Sequence, residues 1–154
     1  MRTSEAAFAW IVQRRPDGTL AYLLQWNPRW TAFSFVGGQR EPDECFHSCC
    51  IREVHEELGL TDGVDCRIAS TPLTHLEYTA YSESARLETA YTFELFTLEF
   101  LRDQARRTVS RATQNHWATP GEIESGLSVA GQRISKTVRE VMTRGGLLPA
   151  GRDR

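Results

Sequence analysis

Lysine is nearly absent from this chain. Of 18 basic residues one, Lys136, is a lysine and the rest are arginines. A GC-rich genome accounts for such a bias, and bidentate recognition of phosphate needs only a few of these arginines. An excess of positive charge is missing as well: 20 acidic residues bring the formal net charge to −2. That argues against a dedicated binder of the DNA or RNA backbone. It leaves room for a small phosphate substrate, because a bound cation supplies positive charge locally. No apolar run approaches the roughly 18 residues of a membrane span. The N-terminus carries Glu5 and no apolar run longer than a strand, so no signal peptide is expected. Cysteines are few, with no CxxC pair, and the adjacent Cys49 and Cys50 are poorly placed to pair with each other. They read as reduced thiols of a cytoplasmic protein. The spacing Cys45/His47/Cys49 would admit zinc, but small side chains buried on a packed helix are the simpler reading.

What is present suits one domain. The 154 residues are 40% hydrophobic and 25% charged, enough to bury a core. A single domain over 1–154 is expected, with a frayed tail from about 147. Residues 6–13 and 19–26 read as an antiparallel hairpin turned at Pro16-Asp17-Gly18. A short strand over 32–36 runs into Gly37-Gly38. Asp43 is a candidate N-cap for a helix over 44–58, which Gly59 stops. Strands follow at 65–70, 73–81 and 87–100. Residues 102–114 are polar, show no apolar period and read as a surface loop. Thr119 and Pro120 start a short helix, and Ile134, Val138 and Met142 set a last helix over 134–142, ended by Gly145-Gly146. This order is α+β, with helices packed on a mixed sheet.

The informative stretch is 38–60, GQREPDECFHSCCIREVHEELGL. Glu53, Glu56 and Glu57 stand at i, i+3 and i+4 and share one side of the helix. Cys50, Val54 and Leu58 hold the other side on the core. Two carboxylates about 4 Å apart repel by roughly 4 kcal/mol at an effective dielectric of 20, and they sit at the helix end that disfavours anions. Water screens them, or a hard divalent cation binds them. Carboxylate oxygens suit Mg²⁺ or Mn²⁺, which share such sites with substrate phosphates.

Gly38, Glu44, Arg52, Glu53, Val54, Glu56, Glu57, Gly59 and Leu60 fill every constrained position of a pattern that resembles the Nudix box. Seven fixed residues and two aliphatics match by chance on the order of once in a billion starts. The entry Phe35-Val36-Gly37-Gly38 is also similar to the family's, except that Val36 stands where proline is usual. Trp117 to Glu122 looks like the family's C-terminal region, and Cys49-Cys50 occupy a place where small residues let the helix close on the sheet. The resemblance implies a Nudix fold, a mixed β-sheet sandwiched between α-helices. It also implies Mg²⁺-dependent hydrolysis, with Mn²⁺ as a substitute, of a nucleoside diphosphate linked to another moiety. By resemblance Glu56 and Glu57 are the principal metal ligands and Glu53 a further one that orients or deprotonates the attacking water. The Gly37 carbonyl is a backbone ligand, Arg52 aims Glu53 by pairing with glutamates, and Glu44 supports that network.

Candidates for the rest of the site are less constrained. Arg29 and Arg40 flank the Gly-Gly entry and suit phosphate. Trp30 suits base stacking, with Trp26, Phe33 and Tyr78 as alternatives. Many relatives use a glutamate outside the box, for which Glu94, Glu99 and Glu122 are candidates, with Asp103 behind them. Tyr78, 18 residues beyond Leu60, is similar to a pattern in dinucleoside polyphosphate hydrolases. The proline common in ADP-ribose hydrolases would fall at His75, and no coenzyme A pyrophosphatase signature precedes the box. Nucleoside triphosphates, dinucleoside polyphosphates and nucleotide sugars remain open as substrates. The expected partner is thus a small nucleotide, with no membrane and no nucleic-acid backbone; many relatives dimerise, which leaves a homodimer open. A binding or regulatory module on the same fold, and an isomerase, are the alternatives that the intact box disfavours.

Overall fold

The computed structural model describes residues 1–149. The sequence 2–14 does not make one long strand. It makes β1 (Arg2–Trp10) and β2 (Val12–Arg14), parted at Ile11. β2 pairs antiparallel with β3 (Leu20–Asn27), which completes the expected hairpin only at its turn end. β1 instead lies parallel to β8 (Leu87–Phe100) and antiparallel to β5 (Gly37–Gln39). The Ile11 carbonyl still accepts from Leu23 N–H at 2.9 Å, so the chain passes from one sheet to the other without losing that bond.

Two sheets result. The first has the order β5-β1-β8, with β6 (Cys66–Ile68) and β7 (Thr74–Ser82) both on the far side of β8. The second joins β2, β3, β4 (Ala32–Ser34) and β9 (Asn115–Ala118). The strand at 87–100 has the predicted bounds, because its run of Thr, Tyr, Phe and Leu is unbroken.

Helix α1 (Phe46–Leu58) closes one face of the first sheet. Ala7 and Ala9 of β1 meet Cys49, Cys50 and Val54 there, all fully buried. Small residues on both sides allow the close approach. Val36, in the place usual for proline, fills the same cluster, and its carbonyl accepts from Ala9 N–H at 2.8 Å. The N-cap is Cys45, not Asp43. Glu44 N–H bonds the Glu41 carbonyl, and the Glu44 carboxylate accepts from Glu41 N–H and from Arg52, so 41–44 is held as a turn and the helix starts later. Gly59 ends it at φ +71°.

A second cluster fills the space between the two sheets, under α3 (Pro120–Ser125) and α4 (Lys136–Arg144). Thr119 caps α3 through a capping box with Glu122. Ile134 precedes α4 and bridges to Phe33. The expected loop at 102–114 is largely helix α2 (Asp103–Arg111). Its buried side comprises only Ala105 and Val109, four residues apart, too thin an apolar stripe to register as a period. Leu147 and Leu148, at the start of the tail expected to fray, pack on the second cluster; residues 150–154 of that tail lie outside the described residues. Among the described residues no helix is long and apolar enough to cross a membrane.

Candidate active site

An α-helix advances about 100° per residue. Glu57 therefore sits about 40° past Glu53, and Glu56 about 60° before it. The three glutamates share a side, but they do not point alike. Glu53 and Glu57 line a cleft of about 740 Å³ between the two sheets. Glu56 faces outward into a shallow hollow with Arg52, His55 and Asp62.

Arg52 organises the cluster. Its Nε and Nη2 donate to Glu44 at 3.1 and 2.7 Å, and its Nη1 reaches Glu53 at 3.0 Å and Glu56 at 3.3 Å. The guanidinium holds the Glu44 carboxyl down at about 2, and the carboxylates in turn push the Arg52 pKa up. Glu57 lacks such a partner. Its Oε1 accepts from Gly37 N–H at 2.9 Å, yet burial, with Glu53 and Glu56 nearby, raises its carboxyl from the ordinary 4.5 to about 7. Burial and the two neighbouring carboxylates disfavour the ionised form of Glu57, which a nearby positive charge would favour.

The glycine pair makes the approach possible. A Cβ on Gly37, whose φ is +147°, would lie 2.1 Å from the Ala7 carbonyl oxygen. A Cβ on Gly38 would lie 2.7 Å from Glu53 Oε2. Only bare backbone fits between the strand and the carboxylates. Gly38→Ala should therefore displace the flexible Glu53 carboxylate rather than the fold. Turnover is expected to fall by about tenfold or more with a melting temperature within a few degrees of wild type, since small misplacements at a reacting centre cost up to about 10²-fold. Thermal melts beside initial rates check this.

Among the described residues no three acidic, His or Cys side chains close into a ready-made ion cage. The donor set still fits Mg²⁺, which keeps most of its shell as water and substrate oxygen and takes one or two carboxylates from the protein. The buried thiols do not offer a softer site, and the exposed Cys45, whose thiol is lowered by its hydrogen bonds with Ser48, is occupied as the cap of α1. Burial lifts Cys49 to about 12 and Cys66 to about 11, Cys50 is pushed higher still, and the His47 ring is engaged by the Ile68 carbonyl at 3.3 Å.

The NUDIX domain family model matches residues 4–133, which run from β1 to the approach to α4 and include Gly37, Gly38, Glu53 and Glu57. The chain belongs to the Nudix family. No curated protein sequence matches it. Its fold is similar to the crystal structure of a Caenorhabditis elegans Ap4A hydrolase (TM-score 0.59, 17% identity, 95% of this chain and 93% of that one). It is also similar to the MutT protein from Methanosarcina mazei Go1 (TM-score 0.55, 15% identity, 94% of each). A third likeness is to Shewanella oneidensis NrtR complexed with a 27mer DNA (TM-score 0.58, 13% identity), over 91% of this chain and 59% of that one.

Beyond the box, the Nudix cleft takes in some predicted residues and omits others. Arg29 and Trp30 line it. Their loop is shaped by Asn27, whose Oδ1 accepts from both backbone N–H groups at 2.9 and 3.3 Å. Trp26 lines it too, edge-on to the buried Phe33. Arg40 does not reach the cleft. It is bound to Glu5 and to the Glu44 carbonyl and lies over the Phe46 ring. Tyr78 is likewise outside, against Tyr91 with the Arg144 guanidinium 4.1 Å above its ring. The extra glutamates are also elsewhere. Glu94 is bound to His75, Glu99 to Arg67, and Glu122 is buried against His116 and the N–H groups of Thr119 and Val129. Asp103 opens α2 and does not line the cleft.

Glu83, in the turn between β7 and β8, does line the cleft and was not singled out by sequence. It lies beyond Leu87, while the Gly37 end pairs with Phe8, opposite Leu95. Eight strand residues span about 26 Å, so Glu83 serves the far end and not the carboxylate pair. Arg2, Arg133 and Lys136 line the cleft as well. No spacing signal joins them, because they come from opposite ends of the chain.

Proposed function

We propose that this Nudix protein hydrolyses a pyrophosphate linkage in a nucleoside diphosphate joined to another moiety, with Mg²⁺ or Mn²⁺. A nucleoside triphosphate, a dinucleoside polyphosphate and a nucleotide sugar all fit that description. The observation that carries the reading is the Glu53–Glu57 pair, pressed against the Gly37-Gly38 backbone at the end of a large cleft, with Glu57 holding its proton to about pH 7. Glu53 and Glu57, with the Gly37 carbonyl, are the cleft groups that would hold the cation, whereas Glu56, expected as a principal ligand, opens into the neighbouring hollow beside Arg52. When bound, such an ion screens phosphate charge and acidifies water.

The protein's own residues do the rest. Arg52 fixes Glu53 by a 3.0 Å bond and keeps Glu44 ionised. Glu53 is then oriented as the proton acceptor for the attacking water. Trp30, 42% exposed at the cleft, offers a stacking face for a base. Arg29 beside it offers a charged fork for phosphate. The small nucleotide is the partner this cleft suits.

The likeness to NrtR supports a second reading, a nucleotide-binding regulator that does not hydrolyse. Retention of all three glutamates favours hydrolysis. The test is phosphate and pyrophosphate release from nucleoside triphosphates, dinucleoside polyphosphates, ADP-ribose and nucleotide sugars, with phosphatase coupling for products lacking free phosphate. Mg²⁺-dependent turnover of one class, abolished by EDTA, is the expected result. Ligand-induced thermal shifts across the panel with no turnover would replace it by the regulator.

A further inference from the structure

Three cations on one wall of the cleft have no acidic partner among the described residues. Arg29 comes from the loop after β3, Arg133 from the segment before α4, and Lys136 is the first residue of α4. The two segments are fastened together. Arg133 Nη2 donates to the Trp30 carbonyl at 2.6 Å, Phe33 N–H to the Arg133 carbonyl at 2.9 Å, and Ser135 N–H to the Phe33 carbonyl at 2.8 Å. All three cationic side chains are exposed. Among the described residues none of them forms an ion pair, which is also true of exposed arginines such as Arg107 and Arg139; what sets these three apart is that they line one cleft.

Like charges gathered on one wall repel unless an anion joins them. The first turn of α4 adds to this field, since Lys136 and Thr137 at the positive end of the helix dipole both line the cleft. The carboxylates are near but separate. Gln25 Nε2 donates to the Glu57 carbonyl at 3.1 Å, and Arg29 follows Gln25 by four residues, at most about 13 Å of extended chain. The cleft thus has an acidic end that suits a cation and, within one nucleotide length, a basic wall that suits an anion.

We propose that this wall holds a phosphate group of the substrate other than the two joined by the cleaved anhydride. The substrate class is then a nucleotide carrying at least one extra phosphate, on a longer polyphosphate chain or on a ribose hydroxyl. The inference rests on the hydrolase reading for the identity of the cleaved bond, but phosphate binding at the wall can be measured without turnover.

The test is titration calorimetry in Mg²⁺ with two pairs of ligands. Inorganic pyrophosphate against tripolyphosphate probes a longer chain without requiring a particular base. ADP-ribose against its 2′-phosphate probes a ribose phosphate. In one pair the member with the extra phosphate is expected to bind at least tenfold more tightly. That advantage should fall below threefold in the double variant Arg29→Met/Lys136→Met, which removes two charges and no hydrogen bond of the structure, with the melting temperature confirming the fold. Arg107→Met, an exposed arginine on α2 away from the cleft, should keep the advantage. Equal affinity within both pairs, no binding of any of the four ligands, or an advantage that survives in the double variant overturns the proposal. Failure of every panel substrate to turn over, with the advantage intact, removes the hydrolase reading and leaves the phosphate wall standing. Turnover without the advantage does the reverse.

Discussion

Glu57→Gln lowers turnover by about a hundredfold or more while the protein stays folded. Glutamine keeps the size of the side chain and an oxygen to accept from Gly37 N–H, the 2.9 Å bond that fixes Glu57 at the glycine entry. What it removes is a negative charge, and with it a ligand for a hard cation. Loss of one group that stabilises charge at a reacting centre costs about 10²- to 10³-fold. Initial rates at saturating Mg²⁺, beside a circular dichroism spectrum, check the outcome. Unchanged turnover in a folded variant would remove Glu57 from the metal set.

The second large effect is on stability. Gly37→Ala is expected to cost about 3–5 kcal/mol, in the upper range of single-substitution effects, where overpacking and backbone strain belong. The new methyl would stand 2.1 Å from the Ala7 carbonyl oxygen and 2.8 Å from Phe8 Cα, both backbone atoms of the central strand β1. Neither can turn aside as a side chain would, and φ of +147° is itself foreign to alanine. Gly38→Ala meets first the Glu53 carboxylate, a side-chain end that can turn away, and should remain folded. Chemical denaturation of the two variants together separates the roles of these neighbours. A Gly37→Ala protein within 1 kcal/mol of wild type would contradict the packing described here.

The Gly-Gly entry was legible in sequence, but not the different surroundings of its two glycines. The Gly-Gly entry and the helix behind it stand within 23 residues, so local spacing carries them. The capped start of α3 and the long strand β8 were legible for the same reason. The partner of β1 was not, since Arg2–Trp10 lies along Thr89–Thr97, nearly ninety residues away. Helix α2 was hidden by a buried face of only Ala105 and Val109. Arg40 and Tyr78 were plausible ligands by position, but each had a nearer partner. Arg40, just past the end of β5, finds Glu5 on the neighbouring β1, and Tyr78 lies under Arg144 of the last helix. Lys136 stood out as the only lysine, yet nothing local joined it to Arg29, because the link runs through Phe33 and Trp30 in the fold.

The raised carboxyl of Glu57 has a consequence for stability with a definite sign. Its folded value of about 7 lies above the ordinary 4.5. Between those two pH values the native state binds more protons at this site than the unfolded chain, so stability falls as pH rises through the window. At 1.36 kcal/mol per unit the loss is capped at about 3 kcal/mol. Glutamine cannot titrate and escapes it.

The most direct measurement is therefore the melting temperature of wild type and Glu57→Gln at pH 5 and pH 8, each in EDTA and in Mg²⁺. In EDTA at pH 8 the variant should melt above wild type, with the gap narrowing at pH 5. Mg²⁺ at pH 8 should raise wild type and leave the variant nearly unmoved. A wild-type melt indifferent to Mg²⁺, with no pH-dependent gap between the two proteins, would contradict the account of this glutamate cluster as a site built for a divalent cation.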